Sequence, residues 1–264
     1  MKSKGEKKKK TIEVKERVII EVGGKKHIVE SNTPTVSFYN HLYGELTAET
    51  PVAVLGYIRY IGLYDTDLRE VCLIEVTPER SGFASVRATG SCTWTSDKPG
   101  DRIVIYNQDK VSYSAVPFPP DVTPAPGSPV TVTWEAEFGV SSVGATGWLA
   151  GASIHPAGFA DQLVNILINN RGDLLLTAVR TVVKGRSGTN YDATFIDTEL
   201  TRDPHEFRII MLPTAVGISG EVTRVVIYSR TATGEDRELL TLTLSTPLAV
   251  SAGDSLAYEI QLVR

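Results

Sequence analysis

The 264-residue chain predicts a mainly all-β protein: two tandem antiparallel β-sandwich domains, each with one short helix, and an N-terminal β-hairpin arm. Three observations predict this. Apolar and polar residues alternate along many short segments, the period-two pattern of strands with one wet face. Gly, Pro, Ser and Thr punctuate those segments, and long helical periodicity is nearly absent. The second half also repeats the first: "RIVIYNQ" at 102–108 returns as "RVVIYSR" at 224–230, 122 positions later.

The elements follow in order. Residues 1–10, "MKSKGEKKKK", set six Lys against one Glu, a net +5, which leaves −9 for the rest of a chain whose total is −4. Such a run has nothing to bury and predicts a disordered basic arm. Lys2, Lys4, Lys7, Lys8, Lys9 and Lys10 either solubilise the chain or contact nucleic acid or an acidic partner. The acidic body argues against a nucleic-acid-binding fold as such. Residues 11–30 alternate around Gly-Gly and predict a hairpin extension. A short helix follows, with Ser37 as N-cap and Phe38, Leu42 and Leu46 on one stripe. Strands fill the remainder of the first domain, 31–138; in "VTVTWEAEF" Val130, Val132, Trp134, Ala136 and Phe138 share one face.

Residues 139–155 are rich in Gly, Ala and Ser and read as a linker. The second domain, 156–264, restarts with a helix carrying Phe159, Leu163 and Leu167, each 121 positions after its counterpart in the first helix. At that offset Arg59 meets Arg180. Further on, Arg102 meets Arg224, Phe83 meets Phe207 (offset 124) and Gly127 meets Gly253 (offset 126). Near-constant spacing with small loop insertions is the signature of tandem duplication.

Chemistry is hard to find. The chain has no GxGxxG after a strand, no phosphate-binding GxxxxGK[ST], no HExxH and no GxSxG, so no catalytic residue, metal or cofactor is expected. His27, His41, His155 and His205 are scattered and read as structural. Asp65, Asp67 and Glu70 in "YDTDLRE" offer either a hard-cation loop or a solvated turn. Cys72 and Cys92 belong to no CxxC pair; they are buried thiols or one disulfide, and the compartment stays open. Arg59 and Arg180 interrupt apolar strands, as outward-facing positions or as subunit-interface ion pairs. Trp148, on the Gly/Ala-rich segment, either anchors a neighbouring domain or subunit or covers the first domain's own edge. No apolar run is long enough to span a bilayer.

The order "VTRVVIY", "RELLTLTL" and "SAGDSLAYEIQL", echoed by "RIVIYN … PGSPVTVTWEAEF", resembles domains of tail-associated virion proteins of tailed bacteriophages. The sequence departs from that pattern where the family-like strand has Gly and this chain has Val104 and Val226. The resemblance implies a virion structural role without catalysis, in a particle assembled in the host cytoplasm. Its partners would be further copies and other virion proteins, without a membrane; the duplicated domains suit a trimer or hexamer. The alternatives are a capsid shell or decoration protein whose arm faces the genome, and a carbohydrate- or surface-binding module.

Overall fold

The computed structural model describes residues 12–31, 34–47, 55–140, 144–145, 149, 152–169, 176–185, 190–195, 198–203, 206–215, 217, 219–230 and 236–263; over 176–215 it is the backbone that is described. The fold is mostly β, as the alternation predicts, with two short helices and antiparallel sheets among the described residues. No helix among those residues is long and apolar enough to cross a membrane.

The first half comprises β1 (Ile12–Val22), β2 (Lys25–Ser31), α1 (Val36–Thr47), β3 (Ile58–Asp65), β4 (Glu70–Glu75), β5 (Glu79–Gly82), β6 (Ser85–Thr93), β7 (Gly100–Asn107), β8 (Ser112–Pro117) and β9 (Pro129–Val140). Its strands form sheets of order β2-β1-β9-β6-β5 and β4-β3-β7-β8. The inward residues of the two sheets pack on each other, Val18, Ile20, Val86 and Val132 against Ile61, Leu63, Ile103 and Ile105, all fully buried. A disulfide between Cys72 on β4 and Cys92 on β6 staples the two sheets together, which settles the open pairing in favour of the bonded form.

The hairpin expected at 11–30 forms, but it is not a detached arm. All of β1 pairs with β9, from Ile12 opposite Val140 to Val22 opposite Val130, so the hairpin completes the first sandwich. Burial of Ile12, Val14, Val18 and Ile20 holds it there. The N-cap of α1 is Thr35 rather than Ser37: the Phe38 N–H donates to Thr35 Oγ1 at 3.3 Å, and Thr35 N–H donates to the Tyr113 carbonyl at 3.0 Å.

The stretch read as a linker contains two short strands, β10 (Gly144–Ala145) and β11 (Ser153–His155). After it come α2 (Ala157–Asn169), β12 (Leu176–Gly185), β13 (Asn190–Phe195), β14 (Thr198–Asp203), β15 (Glu206–Ala215), β16 (Gly220–Arg230), β17 (Asp236–Val250) and β18 (Ser255–Val263). The sheet orders are β10-β18-β15-β14 and β11-β17-β16-β12-β13. Substituting β10 for β1, β18 for β9, β15 for β6 and β14 for β5 reproduces four strands of the first sheet, with no counterpart of β2; β13, β12, β16 and β17 reproduce β4, β3, β7 and β8 in the same way, with β11 added beyond β17.

The register repeats as well. Arg102 lies opposite Pro117 and Arg224 opposite Thr243, and each ladder then slips at the same step, Ile105/Tyr106 and Ile227/Tyr228. Gly127 and Gly253, at φ 88° and 97°, open the last strand of each half. Two pairings read from sequence are corrected. Gly62 pairs with Val104 as Arg180 pairs with Val226, so Gly62, not Arg59, is the counterpart of Arg180. Val86 opposite Ala136 matches Phe207 opposite Leu262, whereas Phe83 sits in an exposed turn. The connection after the helix is shorter in the second half, and sequence offsets alone did not register it.

The halves meet through their helices. α1 lies beside β8 of its own half and β14 of the other; α2 lies beside β17 of its own half and β5 of the other, and also beside β6 and β9. Since β14 and β5 are equivalent strands, each helix meets the same strand of the opposite half. Phe159, Ala160, Gln162, Leu163, Val164, Ile166 and Leu167 are buried, more than the single stripe the sequence predicts, because α2 serves both sandwiches. From β5, Arg80 clasps its flank: Nη2 donates to Asn165 Oδ1 at 2.8 Å and lies 3.0 Å from Asp161 Oδ1.

Gly158 marks the tightest approach, since a Cβ there would stand 1.8 Å from the Glu238 carbonyl oxygen on β17. Gly158→Ala should therefore cost about 1–3 kcal/mol of unfolding free energy in denaturant titration. Gly139→Ala, where a Cβ meets nothing within 4 Å, should stay within about 0.5 kcal/mol. Equal effects at the two sites would contradict the α2–β17 contact. Removing the Cys72–Cys92 bond by Ala substitution of both cysteines should cost about 3 kcal/mol in the same titration.

Candidate functional site

The lysines at 2, 4, 7, 8, 9 and 10 and Trp148 lie outside the described residues, as does His205. Arg180 lies on β12 opposite Thr194 and Val226, and its side chain is likewise outside the description. Arg59 is engaged within its own chain. It forms an ion pair with Glu75, its Nη1 donates to Tyr57 Oη at 2.6 Å, and its guanidinium lies 5.9 Å from the ring centroids of Tyr57 and Tyr60. Its side chain stays partly exposed on the β4-β3-β7-β8 sheet. Arg102 is likewise paired next door, Nε to Asp101 Oδ2 at 2.5 Å.

The "YDTDLRE" turn is structural. Asp65 Oδ1 accepts from the Asp67 and Arg69 N–H groups, both at 3.0 Å, and Oδ2 accepts from Ser96 Oγ at 2.7 Å. The Ser96 bond, with those two main-chain donors, holds the Asp65 carboxyl below its usual range. Its oxygens are thus committed to the turn, and no group of metal-ligating side chains occurs among the described residues. His41, on α1, packs against the Tyr113 ring, and burial pushes its imidazole down.

Two faces of the first sandwich carry concentrated chemistry. On the outer face of the β2-β1-β9-β6-β5 sheet, a groove of about 530 Å³ sets Lys15, Arg17 and Arg87 among Glu30, Glu135 and Glu137. Arg17 Nε and Arg87 Nε donate to opposite oxygens of Glu135 at 2.9 and 2.7 Å. Burial alone would raise the Glu135 carboxyl, but the two guanidiniums hold it below its usual range. The network ties β1, β9 and β6 in register and is neutral as a set. On the other sheet, the Tyr64 and Tyr106 hydroxyls meet at 2.8 Å, Tyr64 Oη donates to Glu70 at 3.1 Å, and Lys110 Nζ lies 5.9 Å from the Tyr60 ring centroid.

Between the sheets lies a constellation that no sequence motif marks. Glu16, on β1, is 5 % exposed; its Oε2 accepts from Ser114 Oγ at 2.8 Å and its Oε1 from Trp134 Nε1 at 3.3 Å. Ser114 belongs to β8, so its bond crosses the sandwich, whereas Trp134 lies on β9, the neighbour of β1 in the same sheet. Beside the carboxyl is a cavity of about 10 Å³, roughly room for one water. Pro34, Phe38, Tyr113, Phe138 and Leu167 bound it, and none of its lining residues is cationic. Desolvation pushes the Glu16 carboxyl up to about 7, against the opposing effect of the Ser114 and Trp134 bonds. The sequence signal was available: Glu16 falls in phase with Ile12, Val14, Val18 and Ile20, the buried face of β1.

The second half serves as an internal control. By ladder register the counterparts of Ser114 and Trp134 are Leu240 and Ile260, both buried. The fold therefore does not require this polar bridge, and among the described residues the first half alone carries it. Comparison with protein-family models, curated proteins and solved structures finds no match.

The folded state holds the Glu16 proton up to about pH 7, whereas the unfolded chain releases it near 4.5. The resulting contribution to stability is fully present below pH 4.5 and is lost as pH rises through 7, a span of about 3 kcal/mol. In Glu16→Gln, denaturant titrations should lose this component across the same window, and Trp134 fluorescence should no longer titrate there. A wild type and a variant with parallel pH profiles would contradict the assignment.

Proposed function

We propose that the chain is a virion structural protein that self-assembles, a component of a phage tail such as a tube, fibre, adaptor or baseplate. The observation that carries this reading is the duplication, two sandwiches of one strand order packed reciprocally around their helices. A chain that is already an internal pseudo-dimer is a rigid building block. The reciprocal contact closes on itself, so growth into a trimer, hexamer or larger particle uses other surfaces. The strand-order resemblance to tail-associated proteins supports the same reading. A sugar-binding role is less well supported, because Arg59 and Lys110 already lie against the Tyr57 and Tyr60 rings that a sugar would stack on.

Sedimentation and negative-stain microscopy of the full chain test this directly. Closed oligomers or tubes that gain mass with concentration are expected. A chain that stays monomeric at the highest soluble concentration, alone and with other virion proteins, would remove the proposal.

A further inference from the structure

Strand β2 ends its sheet and pairs with β1 alone among the described residues. The turn between them, Gly23-Gly24, has φ of 58° and 76°, the two positive angles of a two-residue type I′ hairpin. In such a hairpin the closing pair, Val22 and Lys25, exchanges main-chain bonds, and bonding then alternates along the ladder. Lys26, Ile28 and Glu30 are therefore the residues whose N–H and C=O groups point away from β1. Their side chains share the outer face, opposite Glu21, Ile19 and Arg17 of β1. Ile28 is 58 % exposed, one of few large apolar side chains so placed among the described residues.

We propose that this edge pairs with the same edge of a second copy of the chain, antiparallel and centred on Ile28; the proposal rests on the self-assembly reading above. In that register Ile28 faces the second copy's Ile28, and Lys26 faces Glu30 on both sides of the axis. Across the joint the charged rows read Glu21, Lys26, Glu30, Arg17, alternating in sign, on either side of an apolar row of Ile19 and Ile28 from both copies. The outward groups of the three residues supply about six main-chain hydrogen bonds. Lysine on an edge ordinarily discourages pairing. Here Glu30 answers Lys26 in one register and no other. Centring on Lys26 or on Glu30 sets like charges opposite one another, and parallel pairing sets Lys26 against Lys26 and Glu30 against Glu30.

Charge reversal tests the register with the full chain in sedimentation velocity. Lys26→Glu and Glu30→Lys should each raise the dimer Kd by on the order of tenfold, with thermal unfolding of the monomer little changed. An equimolar mixture of the two variants places Glu opposite Lys at both positions and should dimerise like the wild type. Oligomers that form equally in wild type and both variants would overturn the edge pairing and leave the self-assembly reading standing. A wild type that stays monomeric at every concentration would overturn both, and single variants that weaken dimerisation without recovery on mixing would overturn the register.

Discussion

The burial of α2 is the constraint on which the rest of the molecule depends. A short helix next to a sandwich ordinarily hides one stripe and wets the other. This one hides Phe159, Leu163 and Leu167 together with Ala160, Val164 and Ile166, because β17 covers one side and the first sandwich covers another. Neither half could leave without exposing that surface. Gly158 shows how close the fit is, since no side chain fits between the first helical turn and the β17 backbone. Arg80 adds an ion pair and hydrogen bonds at the rim, but such exposed pairs contribute little beside the apolar burial. The duplication is thus a joined structure in which both halves share one hydrophobic core.

Within that frame the two halves differ in what they hide. Where the second half stacks Leu240 and Ile260, the first places Ser114 and Trp134 around Glu16. A buried carboxyl with two neutral donors and no cation costs stability once ionised, and an apolar core of similar shape would avoid that cost. Because the apolar solution exists in the same molecule, the polar one is a specialisation of the first half. It sits where β1, β8, β9, α1 and the end of α2 converge.

Much of the fold was legible because strand alternation is local. Val130 to Phe138 announce a half-buried strand by period two, and the paired Gly residues at 23–24 announce the hairpin. What the hairpin attaches to was not legible, because β1 finds β9 across more than a hundred residues and nothing in "TIEVKERVIIEV" names that partner. The repeat was visible in its conserved spacing but misaligned in part. Arg59 and Arg180 share a residue type and an offset, yet the shorter connection after α2 moves the ladder by three positions and makes Gly62 the true equivalent. The Glu16 cluster was missed for a different reason. Its three members are far apart in sequence, and a search for motifs does not ask which carboxyl falls on a buried strand face.

Differential scanning calorimetry of the full chain tests the shared core most directly. If α2 joins the halves, they should unfold in one cooperative transition whose calorimetric and van't Hoff enthalpies agree. Two separated transitions, with the first half melting independently of the second, would contradict it.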